Sequence, residues 1–280
     1  MCIRDSFFPK QMMEGYQAKT FGGASETFFM WMLGLMGVQM LGSAFLCATL
    51  RYDAASPKAR ALACLGQVIC WGIFFVVDGK CLLTGTVPKA MPPEAFMVNL
   101  VIFAVVIVAN FLAWRGAGSP RPTLDKLLPA GPLSNPVKAF MANQLFFAFG
   151  LIFALKPFME MYVPGVPAQI TKESPAAMEL TYLIAERIGY GALNMVILAA
   201  FATAGDYNGA DTNYRVARAM TYANMVGLGL ISRDLVVVNA TGWPLPMFTA
   251  TVAQSLAVTY FAANEIGKTA VTIKKTTKSK

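Results

Sequence analysis

TFFMWMLGLMGVQMLGSAFLCATL, Thr27 to Leu50, runs for 24 residues without a charged side chain. AFMVNLVIFAVVIVANFLAW, Ala95 to Trp114, does the same over 20 residues. Roughly 20 mostly apolar residues let an α-helix cross the hydrocarbon of a bilayer. Both runs are continuously apolar, without the alternation that a transmembrane barrel strand requires. Backbone groups in hydrocarbon have no water to bond, so each such run must close its own hydrogen bonds as a helix. These two stretches set the fold class: all-α, a polytopic transmembrane helix bundle.

Five more stretches reach comparable length: Ala59–Leu83, Val137–Leu155, Ala177–Ala204, Tyr214–Val238 and Met247–Asn264. The expected total is therefore about seven spans. Composition agrees, with 56% hydrophobic and 14% charged residues among 280. A soluble domain carries about 25% charged residues.

Net charge is +8, but the basic residues are scattered between apolar runs. That pattern fits charged loops and not a nucleic-acid surface, which needs a basic patch presented by a fold. The bilayer is the implied partner, with other membrane proteins as further candidates. Seven spans place Arg51, Lys58, Arg60, Arg115, Arg121, Lys126, Arg215, Arg218 and the lysine tail on one face. Lys10, Lys19, Lys89, Lys156 and Lys172 fall on the other. The positive-inside rule puts the C-terminus on the cytoplasmic side or its organellar equivalent. Which membrane this is remains open.

Histidine is absent, so no histidine-ligated metal or acid–base site can form. Of Cys2, Cys47, Cys64, Cys70 and Cys81, none forms a C-x-x-C pair. Cys47, Cys64 and Cys70 lie in apolar runs and read as small packing residues. No phosphate-binding loop, nucleophile elbow or zinc-protease motif is present, and no cofactor is expected.

The chain also looks duplicated. FFPKQMMEGY (Phe7–Tyr16) resembles LKPFMEMY (Leu155–Tyr162), and SPKARALA from Ser56 resembles NYRVARAM from Asn213. The helices that follow end in FFVVDGK and LISRDLVV, so Asp78 and Asp234 occupy matching places. Each copy closes with a proline-containing turn and an apolar helix. The expectation is two parallel repeats, residues 7–114 and 137–264. They are joined by the Gly/Pro-rich linker 115–136 and followed by a basic tail, 265–280. Residues 1–6, MCIRDS, are no signal peptide and read as a non-native leader. In the second copy the Pro-Met-Glu-Tyr motif follows a helix, whereas in the first it follows the leader. The reading is that the first copy lacks its first helix and that the full protein has four helices plus four.

Charges inside spans mark the candidate site, because each costs at least about 2.5–3.5 kcal/mol at the bilayer centre and needs a partner. The second copy holds Glu186, Arg187, Arg233 and Asp234. An Arg187–Asp234 pair is expected, with Tyr182, Asn194, Tyr222 and Asn224 along the same polar seam. The pair serves either to lock two helices or to line a small pocket. The first copy offers Asp78 and Lys80, with Met32 or Trp31 where Arg187 would fall, so a site would be asymmetric. Glycines at 34, 37 and 42 with Ala44, and Gly189, Gly191 and Ala192, have the spacing of close helix packing. Asn239-Ala240-Thr241 is a glycosylation sequon, but its closeness to the membrane favours a plain polar turn.

AERIGYGALNMVILAA (Ala185–Ala200), preceded by a Pro…Tyr segment and followed by two more helices, resembles the DoxX-like group of small four-helix membrane proteins. The second copy, about Val137 to Asn264, carries the resemblance. The first copy departs from it, lacking the arginine and the first helix. The resemblance implies the fold more than an activity, since the group spans redox-complex subunits and scaffolds of lipid-pathway enzymes.

Three function classes stay open: a non-enzymatic scaffold or accessory subunit, a transporter, and a membrane enzyme acting on a lipid or quinone. For a transporter, a three-one-three layout would resemble the SWEET proteins, although broken helices at matching positions are not evident. In the enzyme, Glu186 or Asp234 would carry the proton. A cavity between repeats favours transport, a lateral opening beside Glu186 favours the enzyme, and a dry core favours the scaffold.

Overall fold

The computed structural model describes residues 23–52, 56–87, 93–127 and 136–205, with isolated positions between 216 and 260. Seven α-helices and one 3-10 turn lie within the described residues. They are α1 (Gly23–Tyr52), α2 (Pro57–Thr84), α3 (Pro93–Gly116), α4 (Pro136–Phe153), α5 (Leu155–Tyr162), α6 (Val166–Glu173) and α7 (Pro175–Gly205). The architecture is all-α. Four helices are long and apolar enough to cross a membrane, or five if the bent pair α4–α5 counts as one. The expected sixth and seventh spans lie outside the described residues apart from isolated positions.

Local chemistry explains the helix limits. Ser56 caps α2 by accepting from the Ala59 amide at 3.1 Å, with Pro57 in the first turn, where a missing N–H costs nothing. The helix stops at Gly85, whose φ of 65° is left-handed. There the Thr86 amide donates to the Cys81 carbonyl at 3.0 Å and closes the last turn.

Helix α7 is the hub. Within its apolar window 72% of the residues are buried, against 17% for α3. It packs on α1, α2, α4 and α6, whereas α3 leans on α2 and leaves Val101, Val105, Val108 and Leu112 exposed, as a lipid-facing helix would. Helix α1 runs parallel to α7: Phe28 and Met32 share a core with Leu180 and Ile184, and Leu46 lies further along with Leu198. Helices α2 and α4 run antiparallel to it. Ala63, Phe140 and Met141 join the core at its C-terminal half, and Leu151 joins at the other.

Glycines on α7 set these distances. A Cβ at Gly189 would stand 2.9 Å from Leu151 Cβ on α4, and one at Gly191 would stand 2.9 Å from Gln39 Cβ on α1. The small-residue expectation for α7 therefore holds. It fails at Gly34 in α1, where nothing comes within 4 Å. The described cysteines, Cys47, Cys64, Cys70 and Cys81, are free thiols.

The apolar run expected to extend from Val137 to Leu155 ends as a helix at Phe153. Across Ala154 the chain turns by 119° into α5, the LKPFMEMY segment. The ring of Phe158 folds back into the space over Gly150, among Phe146, Phe147 and Tyr162. Gly165, with φ 77°, then reverses the chain into α6, and its amide donates to Glu160 Oε1 at 2.6 Å. A methyl at Gly150 would fall within 2.6 Å of Phe158 Cγ. Gly150→Ala should therefore cost about 1–3 kcal/mol of stability in nanodiscs. Adding Phe158→Ala to the Gly150→Ala variant should relieve the clash. Equal losses in the presence and absence of the Phe158 ring would show that the elbow is not packed this way.

Candidate functional site

Antiparallel packing brings the C-terminal part of α2 level with the middle of α7. There Arg187 Nη2 donates to Asp78 Oδ1 at 2.5 Å, with side-chain exposures of 9% and 0%. Phe96 of α3, fully buried, places its ring 5.1 Å from the guanidinium carbon. An arginine over an aromatic face gains a cation–π contact, strongest where water is excluded. Asn99, one turn further along α3, sits buried beside the same carboxylate. Three helices thus converge on one ion pair.

This corrects the pairing read from the sequence. The sequence suggests Arg187 with Asp234, and only Lys80 near Asp78. The structure pairs Arg187 with Asp78, and Lys80 is exposed on another face of α2. Position along the sequence does not tell which helices become neighbours: α2 and α7, 109 residues apart at this pair, meet directly. Arg233, Asp234, Tyr222, Asn224 and Asn239 lie outside the described residues.

The remaining expected residues divide between two stripes of α7. Tyr182, Glu186 and Tyr190 follow at helical spacing and are each half-buried. Tyr190 Oη donates to Glu186 Oε1 at 3.2 Å, and Lys156 Nζ stands 5.8 Å from the Tyr182 ring centre. Tyr190 also meets the edge of Phe74, part of an aromatic cluster with Trp71 and Phe103. Arg187 and Asn194 lie on the other stripe, facing inward, with Asn194 only 1% exposed. Glu186 and Arg187 therefore do not act together.

Charge counting missed the uncharged members of the site. Phe96 and Asn99 come from the uncharged run Ala95–Trp114 of α3, and Gln39, Gln67 and Ser43 add polar groups on α1 and α2. A single amide within an apolar span was the available signal, because such a group needs a partner in hydrocarbon. Gln67 illustrates one: its Oε1 accepts from Trp71 Nε1 at 2.5 Å, and its Nε2 approaches Cys47 Sγ at 3.5 Å, tying α2 to α1.

Several buried atoms here make no hydrogen bond: Asp78 Oδ2, Arg187 Nε, Gln39 Oε1 and both amide atoms of Asn194. Among the described residues no group of three or more acidic or thiol side chains could hold a metal ion. No protein-family model, curated protein or solved structure matches the chain.

Proposed function

We propose that the chain is a non-enzymatic integral membrane protein, a scaffold or accessory subunit built from two parallel repeats of DoxX-like type, with its C-terminus on the cytoplasmic side. The observation that carries this reading is the closed Asp78–Arg187 pair. The charges described deepest in the bundle are bonded to each other, under Phe96, and not presented to a substrate. Such a pair fixes which helices meet and in what register. Glu186 is half-buried and bonded by Tyr190, which leaves it poorly placed as a proton carrier for a lipid or quinone.

One observation favours a second reading, a transporter of small neutral solutes. The unpaired amide of Asn194 lies deep inside the bundle, where a purely structural core would be apolar. Light-scattering assays on reconstituted vesicles distinguish the two. A scaffold leaves glycerol and urea permeation at the rate of protein-free vesicles and migrates on native gels, from its own membrane, at a mass above the monomer. Accelerated permeation by a monomeric species would overturn the scaffold reading in favour of transport.

A further inference from the structure

Arg187, Gly191 and Asn194 follow one another along one face of α7, since seven residues make close to two turns. At Gly191, Gln39 of α1 comes within 2.9 Å of where a Cβ would stand. Asn194 lies one turn on, and its backbone carbonyl has the Cys70 thiol of α2 at 3.8 Å. Asn194 thus lies at the seam where α1 and α2 both rest on α7 while meeting each other at few places. Neither Nδ2 nor Oδ1 of Asn194 is bonded, and Gln39 Oε1 is buried and unbonded as well. Orphaned buried polar groups are rare in folded proteins, and each calls for a partner.

We propose that this seam binds a small neutral hydroxylic molecule, water or a solute bearing a hydroxyl, between Asn194 and Gln39. The inventory of donors and acceptors selects the class. Asn194 Nδ2 needs an acceptor, while Asn194 Oδ1 and Gln39 Oε1 need a donor. A hydroxyl supplies both. A ketone or ether oxygen can only accept, and an acyl chain can do neither. Charge selects against ions: Gln39, Cys70 and Asn194 are uncharged, and Arg187 and Asp78 cancel each other one to two turns away. Unbonded Arg187 Nε and Asp78 Oδ2 continue the polar column toward the ion pair. The site goes beyond both readings above, since a bound water can serve a scaffold as well as a solute path.

Hydroxyl-radical footprinting of the full chain in nanodiscs, after rapid mixing with isotopically labelled water, tests the proposal. Cys70, whose thiol approaches the Asn194 carbonyl, and Met195, the residue after Asn194, are both buried and carry oxidisable sulfurs. The expected result is labelling at these two residues despite their burial, lost in Asn194→Leu, or in Gln39→Leu if the first variant does not fold. Added glycerol, read as the label at the seam relative to exposed Met161 because glycerol also scavenges the radical, distinguishes the sources: a fall in that ratio identifies a hydroxylic solute as an occupant, and an unchanged ratio identifies water. Wild-type protein in which neither sulfur is labelled overturns the proposal without bearing on vesicle permeation.

Discussion

Asp78→Leu should lower the stability of the chain in nanodiscs by about 3–5 kcal/mol, the usual cost of removing one partner from a buried ion pair. The loss arises from what remains. Arg187 lies roughly 18 Å along α7 from its first residue at 1.5 Å per residue, and its side chain is buried among α2, α3 and α7. Its guanidinium would keep only the Phe96 ring. Asp78→Leu combined with Arg187→Leu should recover most of the stability, because replacing both charges by apolar groups removes the desolvation cost together with the bond. Thermal unfolding of the two single variants and the double variant supplies the coupling energy. Additive losses would mean that the two residues do not act as a pair.

The second large effect is expected at the end of α7. A methyl on Gly205 would run into the backbone of Ala59 in the first turn of α2, 2.6 Å from its amide nitrogen. Backbone cannot rotate aside as a side chain does, so α2 must be levered off the hub. Gly205→Ala should cost at least the ~1–3 kcal/mol typical of overpacking. Gly34→Ala serves as the control: nothing lies within 4 Å of the added atom, and helix propensity favours alanine by roughly 0.5–1 kcal/mol. The two substitutions are chemically identical and should move the unfolding midpoint in opposite directions. Equal shifts would show that close approach at Gly205 does not limit the packing.

The spans were legible where length and polarity alone decide them. The apolar stretches Ala59–Leu83 and Ala177–Ala204 coincide with α2 and α7 to within about two residues at each end. The break at Ala154 has a signal in Pro157, whose ring and missing N–H cannot continue α4 past Phe153. The 119° direction of the turn, with the Phe158 ring over Gly150, is a matter of tertiary packing and was not legible. Arg187 was legible as a residue in need of a partner, but the identity of that partner was not. Sequence position does not tell which helix Asp78 or Asp234 faces. Asn99 and Gln39 carry no charge to mark them, yet an amide in an apolar span needs a partner as a charge does.

The hub has a consequence for biogenesis. Asp78 leaves the ribosome 109 residues ahead of Arg187. The early spans are threaded into the membrane before the segment that will hold them together has been translated. During that interval a bare carboxyl sits in lipid or shelters in the insertion machinery. A nascent chain stalled upstream of α7 is accordingly the form most exposed to membrane quality control.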